Sequence, residues 1–255
     1  MKAKTILVYN EKGGTGKSSL VIQLTGLFLR NNLSVGILDL DTNQRTVLRF
    51  FENRRKYAEK GHIPLPMPII FPFNEHDKSF DLSVLDKQQN PQTDILLIDS
   101  PGTYQPSILS VMEQVDILVT PFNDSLIDLD TLADINEENK KMNHPGPLAE
   151  HIWTARQKRM LAKKPPLKWV AGRNRVPALR NKNKDLMDSL LQDISKRLGF
   201  GIFSNITERV IFRELFLKGL TLADLKQEGV SYPLSLSAAT GRQEIRSLAQ
   251  KILTP

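Results

Sequence analysis

Ten residues near the start of the chain, Asn10-Glu11-Lys12-Gly13-Gly14-Thr15-Gly16-Lys17-Ser18-Ser19, constrain the fold more than any other stretch. They follow an apolar, β-branched run over residues 5–9 and lead into residues 18–29, where Leu20, Val21, Leu24, Leu27 and Phe28 recur on one helical face. A glycine-rich turn between strand and helix turns backbone N–H groups toward one centre, and the helix N-terminus adds partial positive charge there. That arrangement cradles phosphate. Such loops are usually spelled G-x-x-x-x-G-K-[ST]; here Glu11 stands at the first glycine position and Lys12 precedes a Gly-Gly pair. Gly13, Gly14, Thr15 and Gly16 are the candidate cradle, with Lys17 on the β- and γ-phosphate oxygens, the Ser18 hydroxyl on Mg²⁺ and Ser19 near the α-phosphate.

Further apolar runs at residues 35–40, 95–98, 117–120 and 169–171 alternate with helical patterns. Strands that are apolar throughout belong to a parallel sheet covered on both faces. The expected class is therefore α/β, a mostly parallel sheet with helices on both faces. With 255 residues the chain has the length of one large domain, taken as 1–255. In open α/β sheets ligands bind beyond the carboxyl ends of the strands. Asn10, Asp41, Asp99 and Asn174 would all emerge at that edge.

Two stretches break the rhythm. Residues 61–73 hold four prolines in an apolar context and read as an ordered, non-helical crossover. Residues 140–166 begin with a His-Pro-Gly-Pro turn and continue into a basic helix expected over 152–164. Near the C-terminus, Ile245, Leu248, Ala249, Ile252 and Leu253 share one helical face and predict a closing amphipathic helix.

The spelling K-G-G-T-G-K-S resembles the deviant Walker A motif of the ParA/MinD superfamily. That resemblance implies ATP as the ligand and a role for Lys12 at the partner subunit's nucleotide across a dimer. Leu96-Leu97-Ile98-Asp99-Ser100-Pro101-Gly102 is an apolar strand ending in a carboxylate and a Pro-Gly turn, so Asp99 would hold a magnesium-bound water. By resemblance to the superfamily's D-x-D loop, Asp41 would orient the attacking water and Asp39 would support the magnesium shell. Asn174, after the last apolar run, would recognise adenine.

Later blocks are not generic to such loops. Leu38-Asp39-Leu40-Asp41 with Gln44-Arg45-Thr46 and Arg49-Phe50-Phe51-Glu52-Asn53-Arg54, Val119-Thr120-Pro121-Phe122-Asn123-Asp124-Ser125, Arg173-Asn174-Arg175 and Val210-Ile211-Phe212-Arg213-Glu214-Leu215-Phe216 through Gly219-Leu220-Thr221-Leu222 resemble the MipZ family of alphaproteobacterial division-site regulators. The resemblance implies an ATP-dependent homodimer that hydrolyses ATP slowly, with Mg²⁺, as a timer. It further implies nonspecific binding of double-stranded DNA, recruitment by ParB, inhibition of FtsZ polymerisation, and a cytoplasmic protein associated with nucleoid and cell pole.

Charge gives the DNA expectation a physical basis. Residues 140–218 hold 18 Lys and Arg against 6 Asp and Glu, and the remainder 17 against 22, so a basic block follows an acidic half. Arg180, Lys182 and Lys184 open a helix pattern ending at Lys196 and Arg197, and Arg209, Arg213 and Lys218 lie on a second; these eight are the candidate phosphate contacts. If each subunit neutralised about four phosphates, the log–log salt slope would be about −3.6 for a monomer and about −7 for a dimer. Ile211, Leu215, Phe216 and Leu220 read as core rather than partner contacts.

Alternatives stay open at this point. A ParA-type chromosome or plasmid partition ATPase shares everything up to DNA binding, and a MinD-like membrane switch would use residues 241–253 as a lipid-binding helix. That segment lacks Trp and Phe, which favours packing on the domain. A metabolic phosphotransferase needs an acceptor pocket that the sequence does not reveal. The chain has no cysteine, which excludes disulfides, zinc thiolate sites and cysteine-ligated iron–sulfur clusters, and with them the superfamily's nitrogenase iron protein. No apolar stretch has membrane-spanning length or the character of a secretory signal, so no membrane partner is expected. His62, His76, His144 and His151 show no ligand spacing and read as surface or turn residues.

Overall fold

The computed structural model describes residues 3–73, 82, 93–136, 138, 141–177, 184–233 and 235–254. In chain order the elements are β1 (Lys4–Val8), α1 (Lys17–Arg30), β2 (Val35–Asp39), α2 (Thr46–Gly61), β3 (Ile69–Phe71), β4 (Ile95–Asp99), α3 (Pro106–Met112), β5 (Ile117–Asn123), α4 (Leu126–Leu129), β6 (Ala133–Ile135), β7 (Met142–Pro145), α5 (Pro147–Leu161), β8 (Lys168–Asn174), α6 (Lys184–Leu198), β9 (Gly201–Ile202), α7 (Ile211–Lys218) and α8 (Leu236–Leu253), with a short 3₁₀ turn at Asp224–Lys226.

Seven strands form one parallel sheet in the order β3-β2-β4-β1-β5-β8-β9. Central strands β2 and β4 are buried at every position, because helices cover both faces. Side chains of β1 then divide by the two-residue strand period. Ile6 and Val8 join one core with α1, α2, α7 and α8, whereas Leu7 and Tyr9 join the other with α3, α5 and α6. Each large apolar side chain so buried contributes about 1.5–3 kcal/mol. The closing helix spends most of its periodic face on the first core: Ile245, Leu248, Ala249 and Ile252 are buried, while Leu253, the fifth residue of that face, is exposed.

A buried ion pair ties this layer together. Arg54 of α2 meets Asp224 through two hydrogen bonds, 2.7 and 2.9 Å, and also donates to the Gly219 and Pro66 carbonyls. Both side chains are wholly inaccessible. Burial pushes the Asp224 carboxyl up, but the Arg54 guanidinium and the Thr221 hydroxyl and amide outweigh it and hold the pKa below the ordinary value. α2 is thereby fixed to the segment that follows α7.

The five apolar runs and the first helix fall where the sequence puts them, with ends shifted by up to three residues. Three details differ. Within 61–73, Gly61 still belongs to α2 and Ile69–Phe71 forms the edge strand β3. The His-Pro-Gly-Pro run is no turn: His144 and Pro145 end β7, Gly146 caps α5 and Pro147 opens it. Proline at the first helical position needs no N–H partner, so the helix begins five residues before 152 and stops short of Lys163. The third is Arg209, which precedes α7 instead of lying on it. Arg180 and Lys182 lie outside the described residues.

Candidate functional site

Adjacent strands deliver the acids to one place. Asp39 ends β2 and Asp99 ends β4, and the two are register partners, so their side chains leave the same face side by side. Asp41 follows within the turn after β2; its amide donates to Asp39 Oδ1 at 3.0 Å, and its own Oδ1 accepts from the Gln44 amide at 3.0 Å. Asp39 Oδ2 and both oxygens of Asp99 are buried without a hydrogen bond among the described residues. Burial raises the Asp39 carboxyl above its ordinary value, against the backbone N–H bonds of Asp41 and Leu48. Asp99, completely buried, is pushed up to about 7, chiefly by desolvation and further by Asp39. The Ser18 hydroxyl and Lys17 pull it back. Ser18 lies close enough to favour the charged form without completing a hydrogen bond to either oxygen.

Opposite these acids sits the glycine loop. Gly14 and Gly16 have φ of +77° and +84°, which side-chain-bearing residues rarely adopt. A Cβ on Gly16 would also stand 2.3 Å from Asn174 Nδ2. Lys17 opens α1 as a buried side chain whose ammonium donates to the Lys12 carbonyl at 3.1 Å across the loop. Desolvation lowers its pKa, while Asp99 and Asp41 act in the other direction. The Pro-Gly turn after β4 presses on the cradle: a Cβ on Gly102 would be 2.8 Å from Gly13 Cα.

Lys12 points elsewhere. Its amide is held by Asn10 Oδ1 at 2.9 Å, and its ammonium pairs with Asp128 of α4, in the same chain. Lys12 remains 38% exposed and Asp128 only 4%. The other Asp128 oxygen accepts from the Asn123 amide at 2.9 Å, which fixes the carboxylate.

On the far side, Asn174 ends β8 and donates Nδ2 to the Thr15 carbonyl at 2.8 Å, leaving a second N–H and its carbonyl oxygen for other use. Beside it opens a cavity of about 250 Å³ whose lining mixes apolar side chains, Leu20, Ile206, Phe212, Phe216 and Ile245, with the Gln23 amide and the charged Arg175, Glu208, Arg209 and Arg213. Arg175, at φ +55°, donates to the Gly14 carbonyl at 2.8 Å.

The sequence did not single out Asp128, Arg175 or the contact between Glu11 and His151. His151 is not a loop residue; on α5 it binds Glu11 Oε1 through Nδ1 at 2.6 Å and stacks on Tyr104, ring centroids 4.4 Å apart. Of the charged DNA candidates, three are engaged locally. Arg209 is mostly buried against Glu244 Oε1 at 2.5 Å, Arg213 pairs with Glu208 at 2.9 Å, and Arg197 contacts Asp193 at 3.3 Å and donates to the Met142 carbonyl. Lys218 lies over the Tyr232 ring, and Lys196 is exposed. Lys184 is the first residue of α6. Among the described residues no three His, Cys, Asp or Glu gather as a metal cage, and no helix is long and apolar enough to cross a membrane.

The architecture is shared with solved structures of low sequence identity. An ATP-bound McdA variant from Cyanothece superposes with a TM-score of 0.65 at 14% identity, covering 98% of this chain and 96% of that one. Cobyrinic acid a,c-diamide synthase from Mycobacterium smegmatis, with ADP and magnesium, gives 0.61 at 14% identity, covering 99% and 100%. Among curated proteins, cytosolic Fe-S cluster assembly factor CFD1 of Kluyveromyces lactis is 41% identical over 66 residues, a match spanning 25% of this chain and 23% of that protein. With no cysteine, this chain has no thiolate to offer a cluster. The profile described as ATPase MipZ matches residues 4–255, nearly the whole sequence. The glycine loop, the paired carboxylates and the parallel sheet thus belong to a P-loop ATPase, and the chain is a member of the MipZ family.

Proposed function

We propose that this ATPase is a dimerising switch: ATP joins two subunits face to face, the joined form holds DNA without regard to sequence, and hydrolysis separates them. As a MipZ-type regulator it would be recruited by ParB and would inhibit FtsZ polymerisation to position division. The observation that carries the reading is the divergence of two lysines within one loop. Lys17 is buried, its ammonium on the Lys12 carbonyl and within the electrostatic reach of Asp99 and Asp41, whereas Lys12 is partly exposed and directed out of its own cradle toward Asp128. A lysine so directed points away from its own phosphate cradle and, once released from Asp128, would reach a second subunit.

The geometry supports the following roles. Gly13, Gly14, Thr15, Gly16 and Ser19 wrap the phosphates with backbone and hydroxyl donors, and Lys17 neutralises the outer oxygens. Ser18, Asp39 and Asp99 fit Mg²⁺, which binds through one or two carboxylates, retained waters and nucleotide phosphates rather than a full protein cage. The three unpaired buried carboxylate oxygens are the donors such an ion requires. Bound there, Mg²⁺ would offset phosphate charge. Asp41, tied to Asp39 through its amide, orients the attacking water, and Asn174 reads the adenine edge beside the cavity. A cation supplied in trans accelerates phosphoryl transfer by about 10³–10⁵ in other systems, and that is the role assigned to Lys12.

Light scattering with ADP, ATP and a nonhydrolysable analogue tests the switch. The native chain should double in mass only with ATP or the analogue, and Lys12→Ala should stay monomeric with ATP. A Lys12→Ala protein that still dimerises overturns the in-trans role. FtsZ sedimentation with the ATP-bound protein separates this reading from a partition ATPase, which would leave assembly unchanged.

A further inference from the structure

We infer that the outer crest of α2 is a docking surface for the phosphate backbone of DNA, a surface outside the basic block at 140–218. Arg45, the N-cap of α2, and Arg49, Lys56 and Lys60 along it are all exposed. At 100° per residue they fall within an arc of roughly 60°. The buried side of the helix, Val47, Phe50, Phe51 and Arg54, lies on the opposite arc, so Arg49, Lys56 and Lys60 project into solvent, while Arg45 at the N-cap stands beside the Asp39–Asp41 turn. Over 15 residues at 1.5 Å the stripe is about 22 Å long, or some six phosphate steps of one DNA strand at about 3.4 Å each.

Its charge is uncompensated. Among the described residues none of the four makes an ion pair; Arg49 donates to the Gln44 carbonyl at 3.3 Å. Glu52 and Glu59 flank the stripe and Arg55 stands beyond them, all exposed, leaving the crest net positive. Arg45–Arg49 and Lys56–Lys60 are like charges four apart, which works against an isolated helix, while Glu52, four residues before Lys56, works for it. Two features bind the stripe to the rest of the molecule. Asn53, at its edge, donates to the Phe216 carbonyl of α7, which carries Arg213 and Lys218, so crest and sequence-predicted cations adjoin. At the other end, Arg45 is close enough to Asp39 for its charge to lower that carboxyl's pKa. Polyanion binding at α2 therefore begins one turn from the nucleotide carboxylates.

The inference rests on the DNA-binding role proposed above, and the test separates the two. The probe is a 30-base-pair duplex of arbitrary sequence, titrated with the full chain and a nonhydrolysable ATP analogue between 50 and 200 mM salt. Replacing Arg49, Lys56 and Lys60 by Gln should reduce the magnitude of the log–log salt slope by about 2.7 per subunit and weaken binding near 0.1 M salt by about 500-fold for each subunit whose crest is engaged. Glu52→Lys, which adds charge to the crest without removing a packed group, should steepen the slope by about 0.9 per subunit. Native slope and affinity in both variants overturn the α2 surface while leaving the DNA role intact. If the native chain binds no duplex under any nucleotide, the DNA role itself falls. Displacement of the duplex by polyglutamate at equal charge concentration, with the triple variant losing polyglutamate but not duplex affinity, assigns α2 to an acidic protein and overturns the inference.

Discussion

Asp99 offers the sharpest test, because its pKa makes the candidate magnesium site legible in stability before any ligand is added. The carboxyl sits at about 7 in the fold against an ordinary 3.8. The native state therefore binds the proton more tightly than the unfolded chain, and stability falls as pH rises between those two values. One pKa unit is about 1.4 kcal/mol, so by pH 8 the ionised group works against folding by about 4 kcal/mol relative to its protonated form, and at pH 5.5 by about 2 kcal/mol. Asp99→Asn removes this dependence. The amide has its own desolvation cost, but that cost does not titrate and cancels in the difference between the two pH values. The gain in stability of Asp99→Asn over the native chain should thus be larger at pH 8 than at pH 5.5 by about 2 kcal/mol, or roughly 4–8 °C in Tm for a domain of this size.

Calorimetry of the native and Asp99→Asn proteins at the two pH values reads this directly. Adding an ATP analogue with Mg²⁺ should then stabilise the native chain more than Asp99→Asn, since only the carboxylate gains an ion. Equal Tm differences at pH 5.5 and 8 would refute the reasoning, because they would mean that Asp99 is not desolvated in the fold. A larger difference at pH 5.5 would reverse its sign.

Two further substitutions test the contacts around the site. Asp128→Asn should release Lys12; discounted for the lysine's exposure, the lost pair is worth about 1 kcal/mol in each subunit, about 2 kcal/mol per dimer, so ATP-dependent dimerisation measured by sedimentation should tighten about thirtyfold, and a weaker dimer would mean that Asp128 presents Lys12 to the partner instead of restraining it. Asp224→Asn leaves the Arg54 charge buried and unpaired and should lower urea stability by about 3–5 kcal/mol; a loss under 1 kcal/mol would show that water reaches the pair.

How much of this was legible in the sequence depends on the range of the interaction. Central strands are apolar on both faces, so β1, β2, β4, β5 and β8 stand out as continuous runs, while the edge strands β3 and β9, three and two residues long, carry no pattern to detect. The glycine loop, Asp39, Asp41 and Asp99 are local signals next to strands. Asp128 meets Lys12 across 116 residues, His151 meets Glu11 across 140 and Asp224 meets Arg54 across 170, and no spacing rule reaches that far. Charge is long-range in the same way: Arg209, summed within 140–218, meets Glu244 from outside that window, and α2, counted with the acidic remainder, is itself a net-positive helix.

The layout of α2 gives the site and the surface a common frame. The chain passes from Asp39 through Asp41 to Arg45 in six residues, and the helix that follows is fixed at its middle by the Arg54–Asp224 pair and by Asn53 on α7. A helix held at its centre by a buried bidentate pair moves as a body rather than bending, since breaking that pair would strand two charges away from water. Displacement of the Asp41 turn by a γ-phosphate would therefore appear as rotation of the whole cationic crest together with α7, not as local disorder. Hydrogen exchange should then show protection rising in the 39–45 turn with the ATP analogue while amides around Arg54 stay equally protected with ADP; loss of protection at Arg54 would replace the rigid helix with one that melts.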